Sequence, residues 1–130
     1  MRLNFLSRGD EYFHTAYRDG GIVIGAPHNG TRQNVEADIG TGPIAQALAE
    51  KLNAGVVVVS DLRQVVDVNK NPLELGSNIR KYAVRYQNEL FNHLPTLIIE
   101  IHGHVSGIYA VEVSTGFNLE ANNSSDVSFL

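Results

Sequence analysis

The chain contains no cysteine and no tryptophan, and it has a single methionine among its 130 residues. Without cysteine it can form neither a disulfide nor a thiolate metal site, so a bound metal would depend on histidine nitrogen and carboxylate oxygen. Basic residues are also few, since 10 Lys and Arg stand against 14 Asp and Glu, for a formal net charge of −4 at pH 7. This balance disfavours sequence-independent binding to nucleic acid and binding to an anionic membrane surface.

Long hydrophobic runs are absent as well. No apolar run approaches the roughly 18 residues that a membrane-spanning helix requires, and the N-terminal segment is too short and too charged for a secretory signal. We therefore expect a soluble, cytoplasmic protein. With 130 residues and a hydrophobic content of 43%, the chain can build one core, so we expect residues 1–130 to form a single domain.

Three short apolar runs rich in valine and isoleucine have the pattern of strands covered on both faces of a parallel sheet. They are Ile22–Ala26, Val56–Ser60 and Leu97–His102, and a fourth candidate strand is Ile108–Val113. Aromatic residues near the start of the chain indicate that an edge strand or hairpin precedes these apolar runs.

Two helices are predicted between the three buried strands. The first spans Thr41 to Gly55, because Thr41 can cap it, Pro43 suits its first turn and Gly55 can end it. Its apolar face is formed by Ile44, Ala47, Leu48 and Leu52. The second spans Leu75–Leu94, with apolar residues at helical spacing and Pro95 as the stop. The order β-α-β-α-β predicts a three-layer α/β/α fold with a mostly parallel central sheet.

Two histidine clusters lie where predicted strands end. His28 follows the first strand in Ala-Pro-His-Asn-Gly, and His102 ends the third in Ile-Glu-Ile-His-Gly-His. Ligands of open α/β folds bind beyond the carboxyl ends of the strands, so both imidazoles could converge on one metal. We expect His28, Glu36 and His102 to be the metal ligands. Asp38 and His104 are alternatives to Glu36. Taken alone, His28 is equally consistent with an ordinary turn residue.

Two glutamates are candidates for proton transfer. Glu100 lies on the same face of the extended chain as His102, in an apolar strand where an unpaired charge would be costly. It is therefore either the partner of an imidazole or a catalytic carboxylate. Glu112, in the fourth predicted strand, is the other candidate general base, unless strand alternation turns it outward.

A polar loop follows the second buried strand directly. Its residues Arg63, Asn69 and Lys70 provide the guanidinium, amide and ammonium donors that would bind a substrate carboxylate or stabilise an oxyanion. Asp67 can orient one of these groups. Taken alone, the segment would be an ordinary surface loop, and its interest comes from lying at the same sheet edge as the two histidines.

Three of these motifs occur in one order along residues 20–105: Ala-Pro-His28-Asn-Gly-Thr, Arg63-Gln-Val-Val-Asp67-Val-Asn69-Lys70-Asn-Pro and Ile-Glu-Ile-His102-Gly-His. This ordered set resembles the zinc-dependent N-formylglutamate amidohydrolase family and, more remotely, the zinc carboxypeptidase-like fold that includes poly-γ-glutamate hydrolases. The resemblance implies that His28 and His102 bind zinc and that Arg63 and Asn69 bind the substrate. Lys70 stands where the family has arginine, and an ammonium cannot reproduce a bidentate guanidinium clamp.

The function expected from this resemblance is hydrolysis of an N-acyl amino acid such as N-formylglutamate, a small anionic substrate, with Zn²⁺ as the cofactor. The alternatives are a poly-γ-glutamyl or cell-wall peptide hydrolase and a non-catalytic relative that keeps the carboxylate pocket. The chain is shorter than is typical of the family. An exposed sheet edge would allow the domain to form a homo-oligomer.

Overall fold

The computed structural model describes residues 6–9, 11–31, 37–103, 111–114 and 126–129. Its main sheet has six strands: β1 Leu6–Gly9, β2 Phe13–Tyr17, β3 Ile22–Gly30, β4 Asp38–Ile39, β5 Gly55–Ser60 and β6 Leu97–Glu100. The helices are α1 Thr41–Leu52 and α2 Arg80–Phe91, with a short 3-10 helix at Pro72–Glu74. A separate antiparallel pair is formed by β7 Val111–Ser114 and β8 Asp126–Phe129.

The central strand of the main sheet is β3. Along one edge it pairs in parallel with β5, and along the other it pairs in parallel first with β6 and then, at its end, with β4. The β1–β2 hairpin continues the sheet in antiparallel fashion beside β5, as the aromatic residues of the N-terminal segment indicate. The chain is thus a mixed α/β protein with a mostly parallel sheet. The carboxyl ends of its four parallel strands lie together, and this end of the sheet is called its carboxyl edge.

The two helices cover opposite faces of this sheet, because successive side chains of a strand alternate between faces. One face carries Val23, Val57 and Val59, and α2 packs against it with Tyr86 and Leu90. The other face carries Ile24, Val56 and Val58, and α1 packs against it with Ala45 and Ala49. The runs of valine and isoleucine therefore form strands that are buried on both sides, as predicted for β3 and β5.

The first turn of α1 is capped from outside the helix, which corrects the prediction that Thr41 caps it. Gly40 precedes the helix with φ +90°, and the Thr41 hydroxyl donates to a backbone carbonyl at 3.0 Å. The Asn29 side chain acts as the cap, since its oxygen accepts from the Gly42 N–H at 2.7 Å and its nitrogen donates to Ser60 Oγ at 2.8 Å. A Cβ at residue 42 would lie 2.7 Å from Asn29 Cγ, so the contact requires glycine.

The buried face of α1 also differs from the prediction. Of the predicted face, Leu48 packs against the core, whereas Ile44 is 56% exposed and Leu52 is 44% exposed. The fully buried residues are Ala45 and Ala49. Small side chains on the buried face let the helix approach the strands closely, which moves the larger ones to the rim. The helix ends before Asn53, which adopts the left-handed conformation, rather than at Gly55, which begins β5.

The second helix is shorter than the predicted span Leu75–Leu94. It begins at Arg80, after a polar segment around Gly76, and it ends at Phe91. Pro95 is not what stops it, because the helix has already ended four residues earlier. Beyond Pro95, the N–H groups of Thr96 and Leu97 both donate to the carbonyl of Gly21, the residue before β3.

The third predicted strand is only partly covered. Among the described residues β6 pairs with β3 alone, and its side chains are half-buried or exposed instead of enclosed on both faces. The fourth predicted strand corresponds to Val111–Ser114, which pairs with β8, while residues 108–110 lie outside the described residues. None of the helices in the described chain is long and apolar enough to cross a membrane.

The contact between Asn29 and Gly42 predicts the effect of one added methyl group. Gly42→Ala should lower the free energy of unfolding by about 1–3 kcal/mol, because the new Cβ displaces a buried amide from its partners. This loss should outweigh the better helix propensity of alanine. Urea unfolding followed by circular dichroism measures the change.

Gly76→Ala is the matched control for this substitution. A Cβ at Gly76 would meet only the exposed Asn78 Oδ1, at 3.3 Å, and that side chain can move aside. Its unfolding free energy should therefore stay close to that of the wild type. Equal destabilisation by both variants would contradict the proposed role of the Asn29 cap.

Candidate metal centre

The carboxyl edge of the parallel strands brings two imidazoles together. His28 lies near the end of β3, and His102 lies two residues beyond β6. Their ring centroids are 5.1 Å apart, and the ring planes are inclined at 62°. The expected convergence of these two histidines is therefore observed.

An irregularity in β3 positions His28. The pairing of β3 with β5 shifts by one residue between Ala26 and Asn29, so Pro27 and His28 form a β-bulge. A bulge tolerates proline, which has no N–H to donate to a neighbouring strand. The extra residue changes the alternation of side chains, so Asn29 faces α1 while His28 faces the loop that follows β5.

A carboxylate lies between the two imidazoles. Asp38 Oδ2 is 3.5 Å from His28 Nδ1 and 3.7 Å from His102 Nδ1. Ligand atoms around a tetrahedral zinc lie roughly 3.4 Å apart when each bond is about 2.1 Å long. His28, Asp38 and His102 could therefore hold a metal ion, with one ligand atom from each residue and all three atoms within 4.8 Å of one another.

The carboxylate at this centre is Asp38, one of the two alternatives to Glu36. Its place follows from β4, a two-residue strand that pairs in parallel with the end of β3 and sets Asp38 beside Asn29. Glu36, the ligand expected first, and His104, the other alternative, both lie outside the described residues.

The second ring nitrogen of each histidine faces a further carboxylate. His28 Nε2 is 2.7 Å from Asp67 Oδ1, and His102 Nε2 is 3.7 Å from Glu100 Oε1. A metal-binding histidine usually gives its other N–H to a carboxylate, carbonyl or water, which fixes the tautomer and frees the first nitrogen for the metal. His28 has this hydrogen bond, and the Glu100 carboxylate lies in the corresponding place beside His102 Nε2, so both imidazoles have Nδ1 toward Asp38.

Asp67 connects His28 to the loop after β5. Its Oδ1 also accepts the Asn69 backbone N–H at 3.0 Å, and its Oδ2 is 3.8 Å from Arg63 Nη2. Burial alone would raise the pKa of Asp67, but the hydrogen bonds from His28 and Asn69 and the Arg63 charge lower it overall. Asp67 is thus held as an anion, and it contacts a donor of the loop, as its predicted orienting role requires.

Glu100 is the centre of a second network. Its Oε2 accepts a 2.5 Å hydrogen bond from the Tyr86 hydroxyl. The Asn69 amide, in the orientation that satisfies both of its ends, donates to Glu100 Oε2 at 3.2 Å and to Oε1 at 3.3 Å. Burial would raise the pKa of Glu100, but the neighbouring His102 imidazole and the hydrogen bonds from Tyr86 and Asn69 lower it.

These contacts favour one of the two roles expected for Glu100, that of partner to an imidazole. They also turn Asn69 toward the site, because its amide lies 3.4 Å from His102 Nε2. Lys70 is exposed on the same loop, where its backbone N–H donates to the Asp67 carbonyl. Glu112 lies in β7, and its side chain is outside the described part of the structure.

Sequence reasoning missed the contribution of Tyr86 and Gly25. The place of Tyr86 at helical spacing along the second helix indicates only a core residue, yet the Tyr86 hydroxyl reaches Glu100, and burial and the Glu100 charge raise its pKa. A Cβ at Gly25 would lie 2.4 Å from that hydroxyl, so glycine is needed for the two groups to meet. The available signal was a glycine inside an apolar strand, which often marks a close approach.

Two further polar residues, Glu89 in the core and the half-buried His93, lie away from the metal centre. Glu89 of α2 is buried and accepts hydrogen bonds from Thr15 Oγ1 and Tyr17 OH, both at 3.2 Å. From its place near the end of the predicted second helix, where a cation is favoured, the sequence predicts that His93 is a structural or surface residue. It lies beyond the helix, stacks on Tyr17 at 4.2 Å, and has its pKa lowered by burial despite the Glu89 charge. His93 is therefore a structural residue whose neutral form is favoured.

A groove of about 410 Å³ runs along α2, away from the metal centre, between Ser77 and Glu89. Its two guanidinium groups already have partners within the protein. Arg80 donates to the Pro72 and Leu75 carbonyls, and Arg85 lies over the Phe13 ring and beside Glu89. The groove therefore gives no assignment of a ligand.

No protein-family model, no curated protein and no solved structure matches this chain. The resemblance to N-formylglutamate amidohydrolases therefore stays a prediction from motifs. What can be argued about function depends on the geometry at the carboxyl edge of the sheet.

The raised pKa of His102 predicts how the stability of the metal-free protein varies with pH. The Glu100 carboxylate, 3.7 Å from Nε2, is the main cause, and the Asp38 and Asp67 charges add to its effect. A raised pKa in the folded state stabilises the protein below the unfolded value of about 6.5, and this contribution is lost as pH rises through the folded value. The unfolding free energy lost in His102→Gln should therefore be larger near pH 6 than near pH 8.

Urea unfolding in the presence of a chelator would measure this difference. Glu100→Gln provides the comparison, because removing the main cause of the shift should remove most of the pH dependence of the His102→Gln effect. A loss of stability that grows with rising pH would contradict the assignment.

Proposed function

We propose that this protein is a zinc-dependent amidohydrolase that cleaves the amide bond of an N-acyl amino acid such as N-formylglutamate. The observation that carries the proposal is the arrangement of His28, Asp38 and His102. Both imidazoles turn Nδ1 toward one carboxylate oxygen, and each has another carboxylate behind it. Two histidines and one carboxylate form a ligand set of catalytic zinc sites, which keep a further position open.

The donor atoms suit the proposed metal, because zinc accepts imidazole nitrogen and carboxylate oxygen in a tetrahedral arrangement. Bound there, it would act as a Lewis acid toward the carbonyl of the scissile amide. Asp67 would keep His28 oriented, and Glu100 would do the same for His102. Since both oxygens of Glu100 are engaged, we assign the transfer of the proton to Glu112, the other candidate.

Binding of the substrate is proposed for the loop after β5. The Arg63 guanidinium lies beside Asp67, next to the imidazole of His28, where it could bind the free carboxylate of an acyl-amino acid. Lys70 on the same loop supplies a second positive charge. Asn69 is less suited to that task than expected, because its amide is turned toward Glu100 and His102.

Metal content tests the centre of this proposal. Protein purified without a polyhistidine tag should contain about one zinc per chain by elemental analysis, because the carboxyl edge of the folded sheet supplies three ligands for the metal. A folded His28→Ala/His102→Ala double variant should contain none, and His14→Ala, which alters a histidine of β2, should retain the metal. Two histidines and a carboxylate also suit iron(II), so stoichiometric iron, or no metal at all, would overturn the zinc assignment.

A substrate panel then separates the proposed activity from its alternatives. It contains N-formylglutamate, other N-acyl amino acids and γ-linked glutamyl peptides. Preference for the small substrates, abolished in a folded His102→Ala variant, would support the proposal. Preference for the polymer would favour a poly-γ-glutamyl or cell-wall peptide hydrolase, and zinc binding without turnover would favour a non-catalytic relative.

Arg63 provides a prediction about the substrate carboxylate. Arg63→Gln should raise KM for N-formylglutamate about 10- to 100-fold, because a charge-assisted hydrogen bond is lost, while kcat changes less. Lys51→Gln on α1 removes one positive charge away from this edge and should leave both constants unchanged. Steady-state kinetics would measure both variants, and a fall in kcat with unchanged KM would instead place Arg63 at the reacting carbonyl.

A further inference from the structure

We propose that Tyr86 is a positioning residue for the metal centre: acting through Glu100, it keeps the proton of His102 on Nε2 and the lone pair of Nδ1 toward Asp38. The inference rests on the metal site of the proposed function, but it does not depend on the reaction catalysed there. Its basis is a chain of contacts from the core helix α2 to the edge of the sheet.

The first contact joins α2 to β6. Tyr86 is only 1% exposed, and its hydroxyl donates to Glu100 Oε2 at 2.5 Å. A buried phenol requires such a partner, because an unpaired hydroxyl would be costly in an apolar core. Gly25 of β3 lies between them, since a Cβ there would be 2.4 Å from the hydroxyl and 3.4 Å from Glu100 Cγ. Glycine at position 25 therefore leaves the space in which the phenol hydroxyl reaches the carboxylate.

The second contact fixes the remaining oxygen of Glu100. With Oε2 bound by Tyr86, the carboxylate keeps Oε1 toward His102 Nε2, 3.7 Å away. The Asn69 amide donates its N–H groups to the same carboxylate, which leaves the amide oxygen beside His102 Nε2. Nε2 thus faces acceptors from two residues, at 3.4 Å and 3.7 Å, whereas Nδ1 faces only one Asp38 oxygen, at 3.7 Å, which His28 Nδ1 also approaches. In the neutral imidazole the proton therefore lies on Nε2. Nδ1 is then the nitrogen free to bind a metal.

His102 depends on this support more than His28 does. The His28 side chain is 10% exposed and contacts Asp67 directly at 2.7 Å. The His102 side chain is 37% exposed, and its carboxylate partner Glu100 is 3.7 Å away. The orientation of His102 is therefore set by how firmly Glu100 is held, and Tyr86 is the buried group that holds it.

The test is the tautomer of His102, read from long-range ¹H–¹⁵N correlations of the metal-free protein at a pH where the imidazole is neutral. The wild type should show the proton on Nε2. Tyr86→Phe removes one hydroxyl and should give a mixture of the two tautomers, together with about tenfold weaker zinc binding in a competition titration. Tyr82→Phe, on the same helix and in edge contact with Tyr12, is the matched control and should change neither.

A second variant tests the same chain of contacts without altering the core. In Glu100→Gln, the Tyr86 hydroxyl should bind the amide oxygen of the new side chain, which turns its NH₂ toward His102. Because Nε2 must then accept a hydrogen bond, the proton should move to Nδ1. In the double variant Tyr86→Phe/Glu100→Gln, the amide can turn over and this preference should disappear.

The outcomes separate this inference from the proposed function. An unchanged tautomer and zinc affinity in Tyr86→Phe, or an unchanged tautomer in Glu100→Gln, would overturn the positioning role while leaving the hydrolase proposal standing. A wild type that binds no zinc would overturn the proposed function. The tautomer of the metal-free protein would still decide whether Tyr86 positions His102.

Discussion

The one-residue bulge at Pro27 and His28 is the constraint on which both the fold and the metal centre depend. Before it, the side chains of β3 alternate between the two helices. A shift of one residue exchanges the faces of everything that follows. Asn29, directly beyond the bulge, therefore caps α1, while His28 within it turns to Asp67. Without the extra residue the helix would lose its cap and the site its first imidazole. The same short segment therefore links the stability of one helical layer to the geometry of the edge.

The balance of charges at that edge of the sheet explains the direction in which each pKa is shifted. Three carboxylates, Asp38, Asp67 and Glu100, surround two imidazoles, and the Arg63 guanidinium is 3.8 Å from one of them. Hydrogen bonds lower the pKa of Asp67 and Glu100, so these groups keep their negative charge. In the metal-free protein the excess of negative charge is offset in part by protonation of His102, whose pKa is raised. A divalent cation would replace that proton, and its charge would balance the acidic groups.

The sequence predicts those features that depend on local pattern and on the direction of strands. Apolar runs identify β3 and β5, and parallel strands must end together, which is enough to bring His28 and His102 to one edge. The features it does not predict depend on contacts between distant residues. Asn29 caps a helix 13 positions away, and Tyr86 meets Glu100 14 positions away. Periodicity does not record that Gly42 leaves room for such a contact, and the glycine inside the first apolar run indicates a close approach without indicating its partner. The choice of Asp38 similarly follows from β4, a strand of two residues that is too short to have a signature.

The two ligand histidines are therefore held in different ways. His28 is carried by the central strand, buried, and bonded directly to an anionic carboxylate. His102 follows β6, which pairs only with β3 among the described residues and is half-buried. Tyr86 connects Glu100, at the end of that strand, to α2, and α2 is itself anchored by the core that covers β3 and β5. Because one residue fills the core and also fixes a site side chain, removing its ring and removing only its hydroxyl are different perturbations. The first opens a cavity in the fold, whereas the second acts on the carboxylate beside His102.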